Sequence, residues 1–186
     1  MKVKKRPSAL LYPPPACLVT SVDRDDHPNI ITIGSCGSLC VRPPIIGISI
    51  VPRQYSHGLI AACGEFVVNV PTTGLLRLVD YCGTVSGRDV DKFRETGLTP
   101  VPADRVRPPL IEECPVNLEC VLRERLDLGS HTLFLGEVVA LHVDEDLLDE
   151  GGRIVNERAD PIVVLLGEYW GLGGRLAPMG FSEGRL

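Results

Sequence analysis

The 186-residue sequence contains no run of the roughly 18 consecutive apolar residues that a membrane helix requires. It has no G-x-G-x-x-G after a strand, no G-x-x-x-x-G-K-[ST], no H-E-x-x-H and no G-x-S-x-G. A Rossmann nucleotide site, a P-loop, a zincin and an α/β-hydrolase are thereby set aside. No C-x-x-C occurs, and the histidines at 27, 57, 131 and 142 have no metal-ligand spacing, so no metal site is expected. The basic start, Met1 to Arg6, is not followed by the apolar region of about 7–15 residues that a signal peptide needs. Pro7 and the triplet Pro13-Pro14-Pro15 flank Leu10, Leu11 and Tyr12 and break it up. A cytoplasmic protein with no membrane partner is the expectation.

What is abundant is punctuation. Glycine and proline make up 35 of the 186 residues, well above the average of about 12% and below the ~25–30% of low-complexity chains. The chain is expected to fold, with frequent turns and no long helices. Its length suits one domain, which can bury about 70% of its unfolded surface without disulfides or a structural metal. The seven cysteines, at 17, 36, 40, 63, 82, 114 and 120, are odd in number and read as free, mostly buried thiols. Residues 1–110 carry 13 Lys/Arg against 9 Asp/Glu, whereas residues 111–186 carry 6 against 15. No clustered basic stripe of the nucleic-acid-binding kind is present. The mildly basic first part suits a small anion better than a polyanion.

Strand patterns dominate. Residues 16–22, 29–33, 45–51 and 65–70 are short β-branched or apolar runs separated by turn residues. Residues 116–122 alternate between apolar and polar with period two, 131–143 form a long strand pattern, and 162–166 a short one. Two short helices are predicted: 57–63, capped by Ser56 and closed by Gly64, and 75–82, capped by Thr72 or Thr73 and stopped by Gly83. Residues 98–109, with four prolines, read as an extended connection. Six or seven strands with few short helices predict a mainly β, closed or nearly closed antiparallel barrel.

Four clusters carry possible chemistry, each with a plain structural alternative. Thr32, Ser35, Cys36, Gly37 and Ser38 combine hydroxyls with glycine, as a phosphate site needs, or simply end a strand in a polar turn. Cys36, with Arg42 nearby, is also a candidate reactive thiol. Pro52-Arg53-Gln54-Tyr55-Ser56 puts an arginine beside a helix start, which is either an anion site or a solvated side chain with an ordinary cap. Ser86 to Phe93 places Arg88 and Lys92 four apart on one helix face, with Asp89 and Asp91 able to neutralise them locally. Gly129 to Val138 opens a long strand with His131, either at a pocket rim or at a capped strand end.

In order, these segments resemble the flavin reductase-like, flavoredoxin-type family of FMN-binding split barrels, from about Pro14 to Gly180. The family's P-x-x-L-V-T-S is similar to Pro15–Ser21, and its polar hairpin to Asp23–Asn29. Thr32, Ser35 and Pro43-Pro44 match T-x-x-S followed by a proline pair. Arg53, Tyr55 and Ser56 match R-x-Y-S, while Gly64, Phe66, Val68 and Asn69 match G-x-F-x-V-N. S-G-R-D-x-D-K-F is complete at Ser86–Phe93, and H-x-x-F-x-G-E-V at His131–Val138.

The resemblance implies a six- to seven-stranded antiparallel split barrel in one domain, 1–186, with 1–13 as an N-terminal extension. It implies a homodimer that holds FMN near the subunit interface and uses NADH or NADPH as donor. Asn29, Thr32, Ser35, Cys36, Gly37, Ser38 and Tyr55 would line the cofactor. Arg53, Ser56 and Lys92 would hold its phosphate, and His131 would serve at the flavin or the nicotinamide. Gly34 stands where many flavin reductases carry a larger polar residue, and Ser130 replaces a frequent aspartate, leaving no obvious carboxylate to orient His131. The implied activity is an NAD(P)H:flavin reductase-like oxidoreductase passing electrons to a flavin, a redox protein, a partner monooxygenase or a ferric acceptor. The alternatives are an electron carrier reduced by a redox protein and a flavin-binding module without turnover.

Overall fold

The computed structural model describes residues 2–4, 6–9 and 13–182, so the Leu10–Tyr12 triplet lies outside the described residues. Four strands come first: β1 (Cys17–Val22), β2 (Pro28–Ile33), β3 (Cys36–Val41) and β4 (Pro44–Ile50). Helix α1 (Tyr55–Cys63) and strand β5 (Glu65–Val70) follow, then α2 (Leu76–Thr84), α3 (Lys92–Thr96) and two-residue strands β6 (Pro100–Val101) and β7 (Leu110–Ile111). Two 12-residue strands, β8 (Val116–Asp127) and β9 (Thr132–Val143), precede the ribbon β10 (Ile162–Leu165) and β11 (Glu168–Gly171). No helix among the described residues is long and apolar enough to cross a membrane.

Seven strands form one antiparallel sheet in the order β2-β1-β5-β8-β9-β4-β3. Its two edges, β2 and β3, are consecutive in the chain and joined only by Gly34 and Ser35. The sheet therefore curls until its edges face each other across a short link, which is the expected split barrel. Cys17, Val19, Ile48, Phe66, Cys120 and Phe134 fill the interior. The opposite face of β1 and β2 is covered by α2, α3 and β10 through Leu18, Ile30, Val79, Cys82, Phe93 and Ile162. Both faces of β1 are thus buried, which explains why its sequence is a continuous run of small and apolar residues.

Several expectations need correction. The segment read as a polar loop or turn contains β3, because Cys36, Gly37 and Ser38 pair with Ile48, Gly47 and Ile46 of the isoleucine-rich β4. Tertiary pairing overrides the weak β-propensity of glycine and serine there. Ser56 is not a cap: α1 starts at Tyr55 with Gln54 in the cap position, while Gly64 closes it in the left-handed conformation as expected. Gly83 does not stop α2, which runs to Thr84. A Cβ at Gly83 would press to 3.2 Å on the Thr32 Cβ, so this glycine serves helix–sheet packing. Arg88 and Lys92 do not share a helix face, because α3 begins at Lys92, capped by the Asp91 carboxylate, which accepts the Arg94 N–H at 3.1 Å. All seven cysteines are free; 17, 82, 114 and 120 are buried.

Candidate functional site

A lysine at the start of a short helix should be solvated, yet Lys92 is 4% exposed. The packing of α3 against β2 and α2 draws its side chain inward, where Nζ donates to the Ile30 and Cys82 carbonyls, both at 2.7 Å. An ammonium has three N–H donors, so one remains. The ion pairs among the described residues do not include Lys92. Burial pushes its pKa down, opposed by the nearby Cys82 thiol. That thiol is itself pushed up to about 11 by burial. A buried cation with dipoles but no counter-charge is costly, and an anion at the third donor would offset that cost.

A small, mainly polar cavity lies beside Lys92. Asn29, Tyr55, Ser56, Ser86 and Gly87 line it together with Lys92. Ser56, 1% exposed, accepts from the Asn29 Nδ2 at 2.7 Å, which leaves the serine proton available. Gly87 packs so closely that a Cβ there would lie 1.8 Å from the Asn29 Oδ1, so only glycine lets this loop close over Asn29. Tyr55 begins α1, whose cap residue makes no side-chain bond to the first turn. Of the first-turn N–H groups, that of His57 donates to the Gln54 carbonyl at 3.1 Å. At the lip, the Arg88 guanidinium sits over the Tyr55 ring, 5.6 Å from its centre.

A second cavity adjoins the first and shares Ile31 and Gln54 with it. Thr32, Gly34, Ser35, Ser49 and His131 line it on one part of the wall and Ile33, Ile50 and Val51 on another. The Thr32 hydroxyl donates to the Val79 carbonyl and so is committed to holding α2. His131 is half-buried, and the hydroxyl of Ser130 lies 2.8 Å from its Nδ1. That serine hydroxyl is the side-chain hydrogen-bond partner of the His131 ring.

Of the residues singled out from the sequence, Asn29, Tyr55, Ser56 and Lys92 meet at the first cavity, and Thr32, Ser35 and His131 at the second. Cys36 and Gly37 are half-buried on β3 and Ser38 is exposed there; Arg53 is exposed in the turn before α1. These four line neither cavity. Gln54, which borders both cavities, lay inside the 52–56 segment singled out from the sequence but was not itself nominated, and Ser49, within the isoleucine-rich β4, was missed for want of any spacing or composition signal. Together the two cavities form a strip with a cationic, hydroxyl-lined end and a histidine end. It suits an elongated anionic ligand, and nothing in its donor set disfavours a flavin mononucleotide.

Residues 9–167 match the model of the flavin reductase like domain. The chain belongs to that family. An uncharacterized protein of Archaeoglobus fulgidus is 40% identical over 147 residues, spanning 78% of this chain and 81% of its own length. The flavoredoxin of Desulfovibrio vulgaris (Miyazaki F) superposes with a TM-score of 0.92 at 35% identity, covering 100% of both chains. An FMN-binding protein of Thermus thermophilus gives a TM-score of 0.82 at 28% identity, covering 96% of this chain and 100% of its own. The fold is that of the flavin reductase-like split barrels, and the family supports a flavin-related oxidoreductase or electron-carrier function.

Proposed function

We propose that the protein is an FMN-dependent oxidoreductase that takes reducing equivalents from NADH or NADPH and passes them to a flavin, protein or ferric acceptor. The observation that carries the flavin assignment is Lys92, a buried cation whose third donor lies beside a hydroxyl-lined cavity. Lys92 and the Ser56 hydroxyl hold the phosphate, and Asn29 orients Ser56 for it. Charge-assisted bonds of this kind are about twice as strong as neutral ones. Tyr55 and Arg88 close the outer side, while Thr32, Ser35 and His131 border the other end of the ligand. Ser130 fixes the ring of His131 there. Bound FMN would supply both two-electron and one-electron chemistry, so the protein's part is binding, orientation and control of access.

The working unit is a homodimer, which the exposed apolar side chains of edge strand β3 support: Leu39 is 58% and Val41 80% exposed. The free thiols fit a reducing compartment such as the cytoplasm. A second reading, an electron carrier reduced by another redox protein, is favoured by the similarity to a protein named flavoredoxin.

Rapid mixing distinguishes these. Purified protein is expected to be yellow or to take up FMN with quenching of its fluorescence, and NADH or NADPH is expected to bleach it within seconds. Bleaching only by a reduced ferredoxin would replace the reductase by the carrier. Protein that neither carries nor takes up FMN would end both readings.

A further inference from the structure

Beyond β11 the described chain runs on from Leu172 to Ser182 without a strand or helix. This segment is apolar out of proportion to its contacts. Leu172 is 59% exposed, Leu176 100%, Met179 102% and Phe181 72%, with Trp170 at the end of the ribbon 53% exposed. Its backbone makes one turn bond, from the Phe181 N–H to the Pro178 carbonyl. Isolated exposed leucines are ordinary, but here five large apolar side chains within twelve residues are left uncovered by their own domain.

The same chain presents apolar surface elsewhere that is also uncovered. Leu39 and Val41 stand on edge strand β3, and Leu126 and Leu128, 40% and 61% exposed, near the β8–β9 turn. An uncovered arm and an uncovered apolar surface on one chain make a self-complementary pair, which a two-fold axis satisfies twice. Eleven extended residues reach up to roughly 35 Å, enough to cross a neighbouring domain.

The areas are also sufficient. Burying an aliphatic side chain removes about 60–120 Å² from water and an aromatic one about 150–250 Å². Two arms and the surfaces that receive them come within the roughly 1,200–2,000 Å² of a stable interface.

We infer that residues 172–181 are an exchanged arm, docking through Leu172, Leu176, Met179 and Phe181 on the apolar β3 and β8–β9 surface of a second copy of this chain. The inference rests on the homodimer reading and adds which segment holds the dimer together. The test is light scattering over a dilution series on the full chain and on a variant carrying Leu176→Glu, Met179→Glu and Phe181→Glu. These side chains are exposed within one copy, so the variant should fold, with an unchanged circular dichroism spectrum. The wild type is expected to be a dimer and the variant to dissociate at a concentration at least 100-fold higher, with Val41→Glu shifting dissociation in the same direction. A dimeric wild type with an unshifted triple variant would overturn the arm and keep the dimer. A wild type that is monomeric at tens of micromolar would overturn both. A benzoylphenylalanine photo-crosslinker at position 179 of the full chain gives the second measurement: interchain crosslinks are expected, and crosslinks confined to one chain would overturn the exchange.

Discussion

Lys92 and Glu119 are both charged and both removed from water, yet their surroundings differ in completeness. Glu119, on β8, is fully buried; it accepts the Asp104 N–H at 2.9 Å and the Arg105 N–H at 2.7 Å, with the His142 Nε2 2.6 Å away. Burial alone would raise its pKa, but these donors outweigh it and hold the carboxyl below the usual range. Lys92 meets two carbonyls and no counter-charge, and burial lowers its pKa. A buried charge whose valences are all met fixes structure; here the Glu119 carboxylate pins the 104–105 loop to the barrel. A buried charge with a donor left over beside a cavity is prepared for a ligand.

The largest effect should come from breaking the completed member. Glu119→Ala takes the acceptor from two part-buried backbone N–H groups and the partner from His142, at about 1 kcal/mol or more for each bond, so urea unfolding should show a loss of about 2–3 kcal/mol. Because the folded-state pKa of Glu119 is depressed, its contribution to stability is present above the unfolded carboxylate pKa. It is lost as pH falls through the folded value. Acid titration of the wild type should show that loss and Glu119→Ala should lack it.

Lys92→Met should act chiefly on the ligand. It removes a buried charge but also the donor that the Ile30 and Cys82 carbonyls share, two changes that oppose each other. Ligand-free stability should therefore move less than in Glu119→Ala, while FMN affinity falls by about 1.5–3 kcal/mol, the scale of a hydrogen bond to a charged group. Arg53→Ala, in the exposed turn outside both cavities, should change affinity much less; equal losses would show that the phosphate lies nearer Arg53. The pH signature has its own sign. With its pKa lowered, folded Lys92 releases its proton before the unfolded chain does, so the ligand-free wild type should gain stability as pH rises through that interval. Lys92→Met should show no such gain.

The smallest effect belongs to the frame around Lys92. Gly87→Ala would drive a methyl group against the Asn29 Oδ1 and disturb the Asn29–Ser56 bond. FMN affinity, read by fluorescence titration, should drop by about 1 kcal/mol, the worth of one neutral hydrogen bond. An unchanged affinity would show that Ser56 acts without Asn29.

Much of this frame was legible in the sequence. The period-two pattern of 116–122 and the apolar runs of β1, β2, β4 and β5 are local consequences of strands with one or two buried faces. The strand at β3 was not legible, because Cys36-Gly37-Ser38 has no strand propensity and pairs only because β4 lies beside it. Seven of the eleven nominated site residues reach the two cavities, since polar residues at strand ends and helix starts gather at one rim of a barrel. Arg53 was not separable from Lys92 by composition: both are cations beside a helix start, and burial alone tells them apart.

The sequence by itself determined the class of the molecule. Frequent glycine and proline rule out long helices, apolar alternation sets the strands, and the segment S-G-R-D-x-D-K-F, with its companions in order, points to the family. Tertiary structure alone decided which charges are complete. Whether a lysine is solvated, neutralised or left with a donor to offer depends on carbonyls at Ile30 and Cys82, 62 and 10 residues away in the chain. Electrostatic energy depends on distance and on the exclusion of water, and neither is written in the local order of residues.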